Sequence, residues 1–444
     1  MNRTSRSVEQ HLTAVLALAG VPVGESVPLD QAAGRVLAED LVAEFALPRF
    51  ANSAMDGFAL RHHDLALLSA DGLPLAGRLL AGDSPQPLPA GQAVRIMTGA
   101  PLPAGADTVV PLERATERAG RVVLAPEVAT ETLAVTGTIA DGRPAAGAGH
   151  QRPGGPDQAT ARGREVVSPE PAIVRGANVR HPGEDVAPGQ LVLTRGCRLG
   201  PRHLAAAAAC GRDRLTVARR PQVAVVMTGD ELTAPGAALG AATVANCNGP
   251  YLVAAVAQAG GEVVEARRTG DDEAVLEAVL EGLTADLIVV TGDASAGDRD
   301  VARALLGREG VEFVRVRMRP GQPQGAGRWR GRAVLSLPGN PVSVAVSAAV
   351  FLRPLLQAWL GAAPPALGQA RLTQGWKSPT GKRQFMPVRP TTAADGRLEA
   401  APAAPVGAGS HLVASLAGAD ALAVIPEDWG EAAAGAMVEL VELD

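Results

Sequence analysis

Residues 287–300 read Leu-Ile-Val-Val-Thr-Gly-Asp-Ala-Ser-Ala-Gly-Asp-Arg-Asp, an apolar run that ends in small and acidic residues. Such a run is typical of a buried parallel strand that leads into an open loop. Residues 223–232, Val-Ala-Val-Val-Met-Thr-Gly-Asp-Glu-Leu, repeat the pattern. In an open α/β sheet, two such strand ends lie at the same edge, where ligands bind. Small residues there let backbone amides approach an anion, and carboxylates such as Asp293, Asp298 and Asp300 can hold a cation.

The composition is that of a large folded chain without the features of a nucleic-acid binder. Its 444 residues are 47% hydrophobic but only 2% aromatic, and the formal net charge is −5. A protein that relies on aromatic base stacking or on a basic surface is therefore not expected. The three cysteines, Cys197, Cys210 and Cys247, form no Cys-x-x-Cys pair, which favours a reducing compartment and a cytoplasmic protein.

Two apolar windows invite comparison with a signal peptide or a membrane span. Near the N-terminus, Val8 and Val15 belong to a set spaced for one face of an amphipathic helix, which is not the pattern of a signal peptide. Residues 342–360 form the most apolar long window, but Arg353 and Pro354 interrupt it. We therefore expect a buried helix there and no contact with a membrane.

From residue 221 onward, strand-like and helix-like runs alternate, which predicts a parallel sheet covered by helices. The predicted elements are strands at 223–226, 262–266, 287–290, 312–317 and 333–337, and helices at 250–259, 272–283, 301–306 and 343–360. Residues 1–47 are expected to be helical, and the proline-rich region 48–112 to form short strands. The biased composition of residues 130–163 predicts a flexible insertion, and residues 366–444 a small β-domain.

Three polar clusters have both a functional and an ordinary structural interpretation. Residues 47–58 hold polar side chains around Asp56, which a domain-joining turn explains as well as a site does. In residues 95–107, Thr98 can present a hydroxyl to a phosphate or can simply end a hairpin. Residues 178–185 form a charged Gly-Pro turn that solvation and local ion pairing would explain.

Acidic residues follow three separate strand ends. A single acid at a strand end is often a helix cap, but three such ends indicate a divalent cation held beside a phosphate. The acids are Asp230 and Glu231, Asp271 and Asp272, and Asp298 and Asp300.

Two further clusters suit an anion. Arg315, Arg317 and Arg319 would share one face of a strand, and that face must meet solvent or an anion because burying three cations is costly. Residues 335–343, Leu-Ser-Leu-Pro-Gly-Asn-Pro-Val-Ser, form a rigid turn in which Asn340 and Ser343 can cap the next helix. The start of that helix is either an anion site or merely a cap.

Taken together, these segments resemble the MoeA family of molybdopterin molybdenumtransferases, whose domains recur in the E domain of gephyrin. The resemblance covers nearly the whole chain outside residues 115–170. Any one of its motifs alone would be weak evidence for the resemblance, but five motifs in the family's order are specific to it. They are Asn-Ser-Ala-Met-Asp-Gly at 52–57, Arg-Ile-Met-Thr-Gly-Ala-Pro-Leu-Pro at 95–103, Gly-Glu-Asp at 183–185, Thr-Gly-Asp-Glu-Leu at 228–232 and Leu-Pro-Gly-Asn-Pro-Val-Ser at 337–343.

The resemblance implies a multi-domain α/β and β fold. Its parts would be an N-terminal helical and extended linker domain (1–47 with 184–218), a β-rich inserted domain (48–183), a MogA-like three-layer α/β sheet domain (219–361) and a C-terminal β-barrel-like domain (366–444).

Members of this family insert molybdate into adenylylated molybdopterin and release AMP with the help of a divalent cation. The resemblance therefore implies a transferase with Mg²⁺ as cofactor and with molybdate and adenylylated molybdopterin as substrates. It also implies an elongated homodimer, whose active site lies between the sheet domain of one subunit and the 48–112 region of its partner. A MogA-type adenylyltransferase and molybdoenzyme-loading proteins would be further partners.

Carried over motif by motif, the family's functional positions fall on strand ends and turns. The expected catalytic residues are Asp56, Thr98, Asp185, Glu231, Asp271 and Asp300, of which Glu231, Asp271 and Asp300 would hold the metal. The expected contacts with substrate and molybdate are Arg315, Arg319, Pro338, Pro341, Ser343, Ser295, Arg383 and Ser410. In this scheme, Thr98 and Asp56 of the partner subunit orient the pterin phosphate or the attacking group. These residue types suit the chemistry, because cleaving a diphosphate needs charge neutralisation and positioning more than covalent catalysis.

The chain departs from the family in three places. The family's Gly-Gly-Val-Ser-Val-Gly-Asp loop reads Gly-Asp-Ala-Ser-Ala-Gly-Asp at 292–298, so Asp293 replaces a glycine. The family's Lys-Pro-Gly-Lys-Pro reads Arg-Pro-Gly-Gln-Pro at 319–323, so Gln322 lacks a positive charge. Residues 130–163 lengthen the inserted domain.

Two other functions stay open on the sequence alone. A divergent paralogue would keep the fold and the dimer but bind another anionic ligand or a partner protein, and Asp293 and Gln322 favour it. An adenylyltransferase acting one step earlier would use the same type of sheet domain, but the additional domains at both ends disfavour it. The retained acids favour the molybdenum-insertion enzyme.

Overall fold

The structure, a computed structural model, describes residues 5–125, 173–292, 301–363, 368–404 and 409–443. Two compact units make up the chain, one of residues 1–41 with 193–444 and the other of residues 42–192. The predicted insertion at 130–163 and the loop residues 293–300 lie outside the described residues.

The first unit is built on a seven-stranded sheet. Its strands, in spatial order, are β1 (Ser5–Arg6), β19 (Val311–Val316), β21 (Pro323–Trp329), β22 (Arg332–Pro338), β18 (Leu287–Gly292), β14 (Gln222–Thr228) and β17 (Glu262–Thr269). Strand β14 is parallel to β17 and β18, and β18 is parallel to β22. The carboxyl ends of these four strands therefore share one edge, as the sequence predicts.

Apolar side chains alternate across β14 and give the sheet two buried faces. Val223, Val225 and Met227 face one core, and Ala224 and Val226 face another. The first core is covered by α1 (Val8–Leu16), α4 (Asn248–Gln258), α7 (Pro341–Ser347), a π-helical turn (Ala348–Leu352) and α8 (Arg353–Leu360), and the second by α5 (Glu273–Gly282) and α6 (Val301–Gly307). Helices on both faces of the sheet confirm the predicted three-layer α/β domain.

The helical stretch Pro341–Leu360 is the most apolar in the sequence. Within the described ranges it is the one helix long and apolar enough, by length and composition, to cross a membrane, and 72% of its most apolar window is buried. Residues 342–352 are all buried, and most of their apolar side chains belong to the first core. The predicted buried helix at residues 342–360 is therefore confirmed.

A small closed β-barrel follows the sheet domain. Its strands, in spatial order, are β20 (Met318–Arg319), β25 (Arg383–Thr392), β26 (Leu398–Pro402), β23 (Gly368–Leu372), β29 (Met437–Glu442) and β27 (Ala421–Ile425). Strand β25 also pairs with β27, which closes the five strands from β25 to β27 into a barrel, and β20 pairs with β25 outside this ring. A two-stranded pair, β24 (Trp376–Lys377) with β28 (Glu431–Ala432), and the short helix α9 (Val413–Leu416) complete this region. The predicted C-terminal barrel is confirmed.

The second unit is the predicted β-rich domain. Its main sheet contains, in spatial order, β8 (Thr108–Pro111), β5 (Gly57–Leu60), β7 (Ala93–Ile96), β6 (Leu73–Leu79), β10 (Arg121–Leu124) and β9 (Ala115–Arg118). A 3-10 turn (His62–Asp64), the short helix α2 (Leu65–Ser69) and the pair β4 (Asn52–Ser53) with β11 (Val179–Arg180) accompany it. Prolines and glycines keep these strands short, as expected for this composition.

The prediction that residues 1–47 are helical is largely wrong. After α1 the chain is mainly extended, and it pairs with residues far along the sequence. Pro22 and Pro28 disfavour a helix here. Strand pairing also brings Gly24 close to Thr216, so that a Cβ on Gly24 would lie 2.9 Å from Thr216 Cγ2. After α1, residues 1–47 contain β2 (Gly24–Pro28), a 3-10 turn (Leu29–Gln31) and β3 (Leu41–Val42). The segment 184–218 contains β12 (Leu191–Leu193), α3 (Pro201–Ala209) and β13 (Arg214–Ala218).

The sequence does not predict two strands of the central sheet: β1, which lies in the region expected to be helical, and β21. Strand β21 runs antiparallel to both of its neighbours, β19 and β22, so the sheet is mixed rather than wholly parallel. Its sequence contains Gly325 and Gly327, which hide any apolar period. A Cβ on Gly327 would lie 2.6 Å from Val311 Cα, and one on Gly325 would lie 2.9 Å from Phe313. Neighbouring strands approach so closely here that only glycine fits.

Candidate active site

The ends of β14 and β17 bring three acids together. The Asp271 amide donates to Asp230 Oδ1 at 3.1 Å, and the Asp230 amide donates to Asp271 Oδ2 at 3.5 Å. Gly229, with a φ of +144°, turns the chain so that a Cβ there would lie 2.5 Å from Glu231 Oε2. Asp230 and Glu231 are exposed and Asp271 is half-buried, so the structure places two expected catalytic acids, Glu231 and Asp271, at the sheet edge.

These acids are not a complete metal site. Within the parts of the chain that the structure describes, no three His, Cys, Asp or Glu side chains are arranged to hold a metal ion. Asp300, the third expected ligand, lies outside the described residues, as does Ser295. Mg²⁺ commonly takes only one or two carboxylates and completes its shell with water and substrate phosphates. Glu231 and Asp271 therefore fit a partial ligand set.

The turn between β22 and α7 is held against the end of β18 by side chains from two elements. Asn248 Nδ2, from the first turn of α4, donates to Gly339 O at 2.7 Å. Thr291 Oγ1, in β18, donates to Pro338 O at 2.8 Å. Sequence reasoning missed Asn248, because the polar pattern before α4 indicates a helix start but not a bond to a residue 91 positions away.

The expected side-chain cap of this turn is wrong. Asn340 occupies the N-cap position of α7 but makes no side-chain capping bond. One amide that such a cap would use, that of Val342, donates instead to Ser410 O at 3.1 Å. The backbone of Ser410 therefore reaches the turn from the C-terminal barrel. The other expected contacts of the turn are buried or half-buried: Pro338, Pro341 and Ser343.

An arginine stripe lies along β19 and its continuation. Arg315, Arg317 and Arg319 are exposed, whereas Val316 and Met318 between them are buried, as the strand pattern predicts. Strand β19, which carries Arg315, is separated from β22 by one strand, so the two strands lie about 10 Å apart. Among the described residues, no carboxylate pairs with these three arginines. Their charges are therefore free to meet an anion.

Arg383, the third arginine among the expected substrate contacts, is already paired. Its Nη2 donates to Glu427 at 3.1 Å, and its Nη1 donates to Glu9. Burial works to lower the pKa of Arg383, but the hydrogen bonds to Glu427 and Glu9 outweigh it and raise that pKa. An anion would therefore have to compete with two carboxylates for this guanidinium.

The second unit brings together Asp56 and Thr98, which are 42 positions apart. Asp56 Oδ1 accepts hydrogen bonds from the Thr98 amide at 2.7 Å and from Thr98 Oγ1 at 2.8 Å. The bond from the Thr98 amide, followed by that from its hydroxyl, lowers the pKa of Asp56. Asp56 is therefore ionised at neutral pH, and the Thr98 hydroxyl proton points at it.

Asp185 lies on a segment that pairs with the chain just before Asp56. Its amide donates to Leu47 O at 2.9 Å, and β11 pairs with β4. The Asp185 side chain is exposed. Asp56, Thr98 and Asp185, the three expected residues of the second unit, therefore lie on segments that hydrogen-bond to one another.

Replacing Thr98 with valine should raise the pKa of Asp56 part of the way to its ordinary value. Valine removes the hydroxyl donor but keeps the backbone amide, so only the second hydrogen bond is lost. Carboxyl NMR titration of Asp56 measures the change. Thr98→Ser keeps the hydroxyl and should leave the pKa low. An identical Asp56 pKa in the valine and serine variants would contradict the assignment of the hydroxyl bond.

Three family models match the chain in succession. They are described as MoeA N-terminal region (domain I and II) over residues 6–211, probable molybdopterin binding domain over residues 224–358, and MoeA C-terminal region (domain IV) over residues 369–443. Together they span both units.

Full-length relatives agree with these matches. Molybdopterin molybdenumtransferase 2 of Mycobacterium tuberculosis is 37% identical, over 99% of this chain and 100% of that protein. Molybdopterin molybdenumtransferase of Synechococcus elongatus is 33% identical, over 88% of this chain and 92% of its own. The crystal structure of a molybdopterin biosynthesis MoeA protein from Pyrococcus horikoshii covers 99% of this chain and 100% of that one, with a TM-score of 0.73 and 27% identity. On this evidence of sequence and fold, the chain belongs to the MoeA family.

Proposed function

We propose that this protein is a molybdopterin molybdenumtransferase, which inserts molybdate into adenylylated molybdopterin and releases AMP during molybdenum cofactor biosynthesis. The observation that carries the proposal is the 37% identity, over 99% of this chain, to a protein named for that activity. The chemistry of the sheet edge supports it, because acids and arginines that have no carboxylate partner among the described residues border the ends of the same sheet.

The arginine stripe supplies charge neutralisation. The substrate carries a diphosphate bridge and a terminal phosphate, and molybdate is itself an anion. Arg315 and Arg319 are exposed and have no carboxylate partner among the described residues, so their guanidinium groups can pair with phosphate or molybdate oxygens. Stabilising the charge that develops as the phosphoanhydride breaks is the main requirement of such a reaction.

The Asp56–Thr98 pair suits a ligand group that can donate a hydrogen bond. Asp56 is ionised and already accepts the Thr98 hydroxyl proton, so this pair offers acceptors rather than donors. A bare phosphate would be repelled by it. The pair therefore fits the attacking group, a protonated oxyanion or water, better than the pterin phosphate.

Magnesium enters the proposal as a partner of the substrate phosphates. Glu231 and Asp271 would hold it, with Asp300 as a third ligand, and the ion would neutralise phosphate charge. Homodimerisation is also part of the proposal, since the resemblance implies that each site uses residues of both subunits. A monomer in light scattering would contradict it.

The direct test incubates the purified protein with adenylylated molybdopterin, magnesium and molybdate, and follows AMP by chromatography. We expect AMP release that depends on molybdate. Binding of adenylylated molybdopterin without AMP release would overturn the enzyme and favour a non-catalytic paralogue.

Adjacent carboxylates provide a matched pair of variants. Asp271→Asn should lower AMP release about 100-fold and raise the magnesium concentration needed for half-maximal activity. Asp272→Asn should keep the activity, because Asp272 is the N-cap of α5, accepting from the Val275 amide, and asparagine caps equally well. AMP release at limiting magnesium is the measurement. If neither Asp271→Asn nor Asp300→Asn changed it, the cation assignment would be wrong.

A further inference from the structure

A buried amide side chain outside the expected site controls the turn between β22 and α7. Asn248 is 8% exposed, and its Nδ2 donates to Gly339 O at 2.7 Å and more weakly to Thr291 Oγ1 at 3.5 Å. Thr291 Oγ1 donates onward to Pro338 O at 2.8 Å. Two successive carbonyl groups of the turn are thus each held by a side chain from a different element.

Steric contact limits the turn on its other side. A Cβ on Gly339 would lie 2.8 Å from Gly292 O, and one on Gly292 would overlap Thr228 Oγ1 and lie 2.8 Å from Thr228 O. Neither glycine has room for a side chain, so the turn lies close against the end of β18, and the end of β18 lies close against β14. Hydrogen bonds from Asn248 and Thr291, together with the β18–β22 pairing that ends at Gly292 and Pro338, hold the turn in this position.

The bond to Gly339 O also sets the direction of the next amide. In a trans peptide unit the N–H points opposite to the C=O. Because Asn248 draws the Gly339 carbonyl toward α4, the Asn340 N–H points away from α4, and no described group accepts it. Among the described residues, the Asn248 side chain donates to no other backbone group, so we assign it the structural task of holding this turn.

We propose that Asn248 is a positioning residue of the active site: with Thr291 it fixes the turn of residues 338–341 so that the Asn340 amide meets the anionic substrate. The proposal rests on the function proposed above and adds a residue that need not touch the substrate. A preorganised donor stabilises developing charge without reorganisation during the reaction, whereas a mobile one does not.

Aspartate substitutions at two positions of the same segment separate this role from charge and folding effects. Asn248→Asp keeps the shape but replaces the donor with an oxygen that repels Gly339 O. Asn246→Asp adds the same charge two residues away and keeps an acceptor, because Asn246 Oδ1 accepts from the Gly249 amide at 3.0 Å. Thr291→Val removes the second donor, and Thr291→Ser retains it.

We expect faster hydrogen exchange of the amides of residues 340 and 342–344 in substrate-free Asn248→Asp than in wild type; Pro341 has no N–H. We also expect kcat/KM for molybdate to fall about 100-fold, the size of effect that a misplacement of about 1 Å produces. Asn246→Asp and Thr291→Ser should match wild type in both measurements. Thr291→Val should change both in the same direction as Asn248→Asp.

Unchanged exchange at 340–344 in Asn248→Asp would overturn the proposal, as would faster exchange with unchanged kcat/KM. Failure of the proposed function is distinguishable, because wild type would then release no AMP at all. In that case calorimetry with AMP as the probe decides: weaker AMP binding by Asn248→Asp than by Asn246→Asp supports the positioning role, and equal binding overturns it.

Discussion

Gly292→Ala should destabilise the first unit by about 3 kcal/mol or more and abolish AMP release. The new Cβ would overlap Thr228 Oγ1, which a side-chain rotation could relieve, but it would also lie 2.8 Å from Thr228 O. That oxygen belongs to β14, whose side chains from Val223 to Met227 are buried in two cores. Relief therefore requires β18 and β14 to separate at the edge that carries the site.

Urea unfolding followed by tryptophan fluorescence measures this effect on one unit. All four tryptophans, Trp329, Trp359, Trp376 and Trp429, lie within residues 193–444. Gly282→Ala is the matched control, because nothing lies within 4 Å of a Cβ there and alanine favours the helix. Equal stability of the two variants would show that the strand ends have more room than the structure gives them.

His11→Leu should remove much of the acid sensitivity of the first unit. His11 is fully buried, its ring is edge-on to Phe351 at 4.8 Å, and neither ring nitrogen has a hydrogen-bond partner among the described residues. Burial, and then the charge of Arg6, lowers the pKa of His11 from its ordinary 6.5 to about 4. The folded protein therefore holds this imidazole neutral.

The sign of the pH effect follows from this lowered pKa. Between pH 6.5 and 4 the unfolded chain binds a proton at His11 and the folded chain does not, so stability falls as the pH falls. Over this interval the loss is about 3 kcal/mol, and above pH 6.5 it vanishes. Urea unfolding at pH 4, 5, 6 and 7 compares the variant with wild type. At neutral pH the leucine variant should be at least as stable, because two unsatisfied buried nitrogens are gone.

His411→Leu, at an exposed histidine in the same unit, is the control and should keep the wild-type pH dependence. The assignment fails if His11→Leu loses as much stability as wild type between pH 6.5 and 4. Equal loss would mean that His11 is protonated in the folded protein.

Local sequence patterns were sufficient to predict a helix or strand where the burial of that segment follows a regular pattern along its length. Strand β14 is buried on both faces, so its residues form a continuous apolar run that is readable without any knowledge of its neighbours. Helix α1 has one buried face, and the spacing of Val8 and Val15 reports it. Strand β21 could not be predicted in this way, because Gly325 and Gly327 are required by the close approach of β19 and β22 and not by the pattern of β21 itself.

The site was predictable as a set of residues but not as an arrangement. Motifs identified Asp56 and Thr98, yet only pairing of β5 with β7 brings the two together and lowers the pKa of Asp56. The same motifs identified Arg383 without its two carboxylate partners, Glu9 and Glu427, which come from opposite ends of the chain.

The sequence by itself determined the α/β sheet domain, the β-rich domain, the C-terminal barrel and the family, because each rests on short-range periodicity or on contiguous motifs. Tertiary structure alone decided the role of Asn248, the unprotonated state of buried His11 and the lack of space at Gly292. These properties depend on atoms from segments distant in sequence. Hydrogen bonds, desolvation and steric contact act over a few ångströms in space, whatever the separation along the chain.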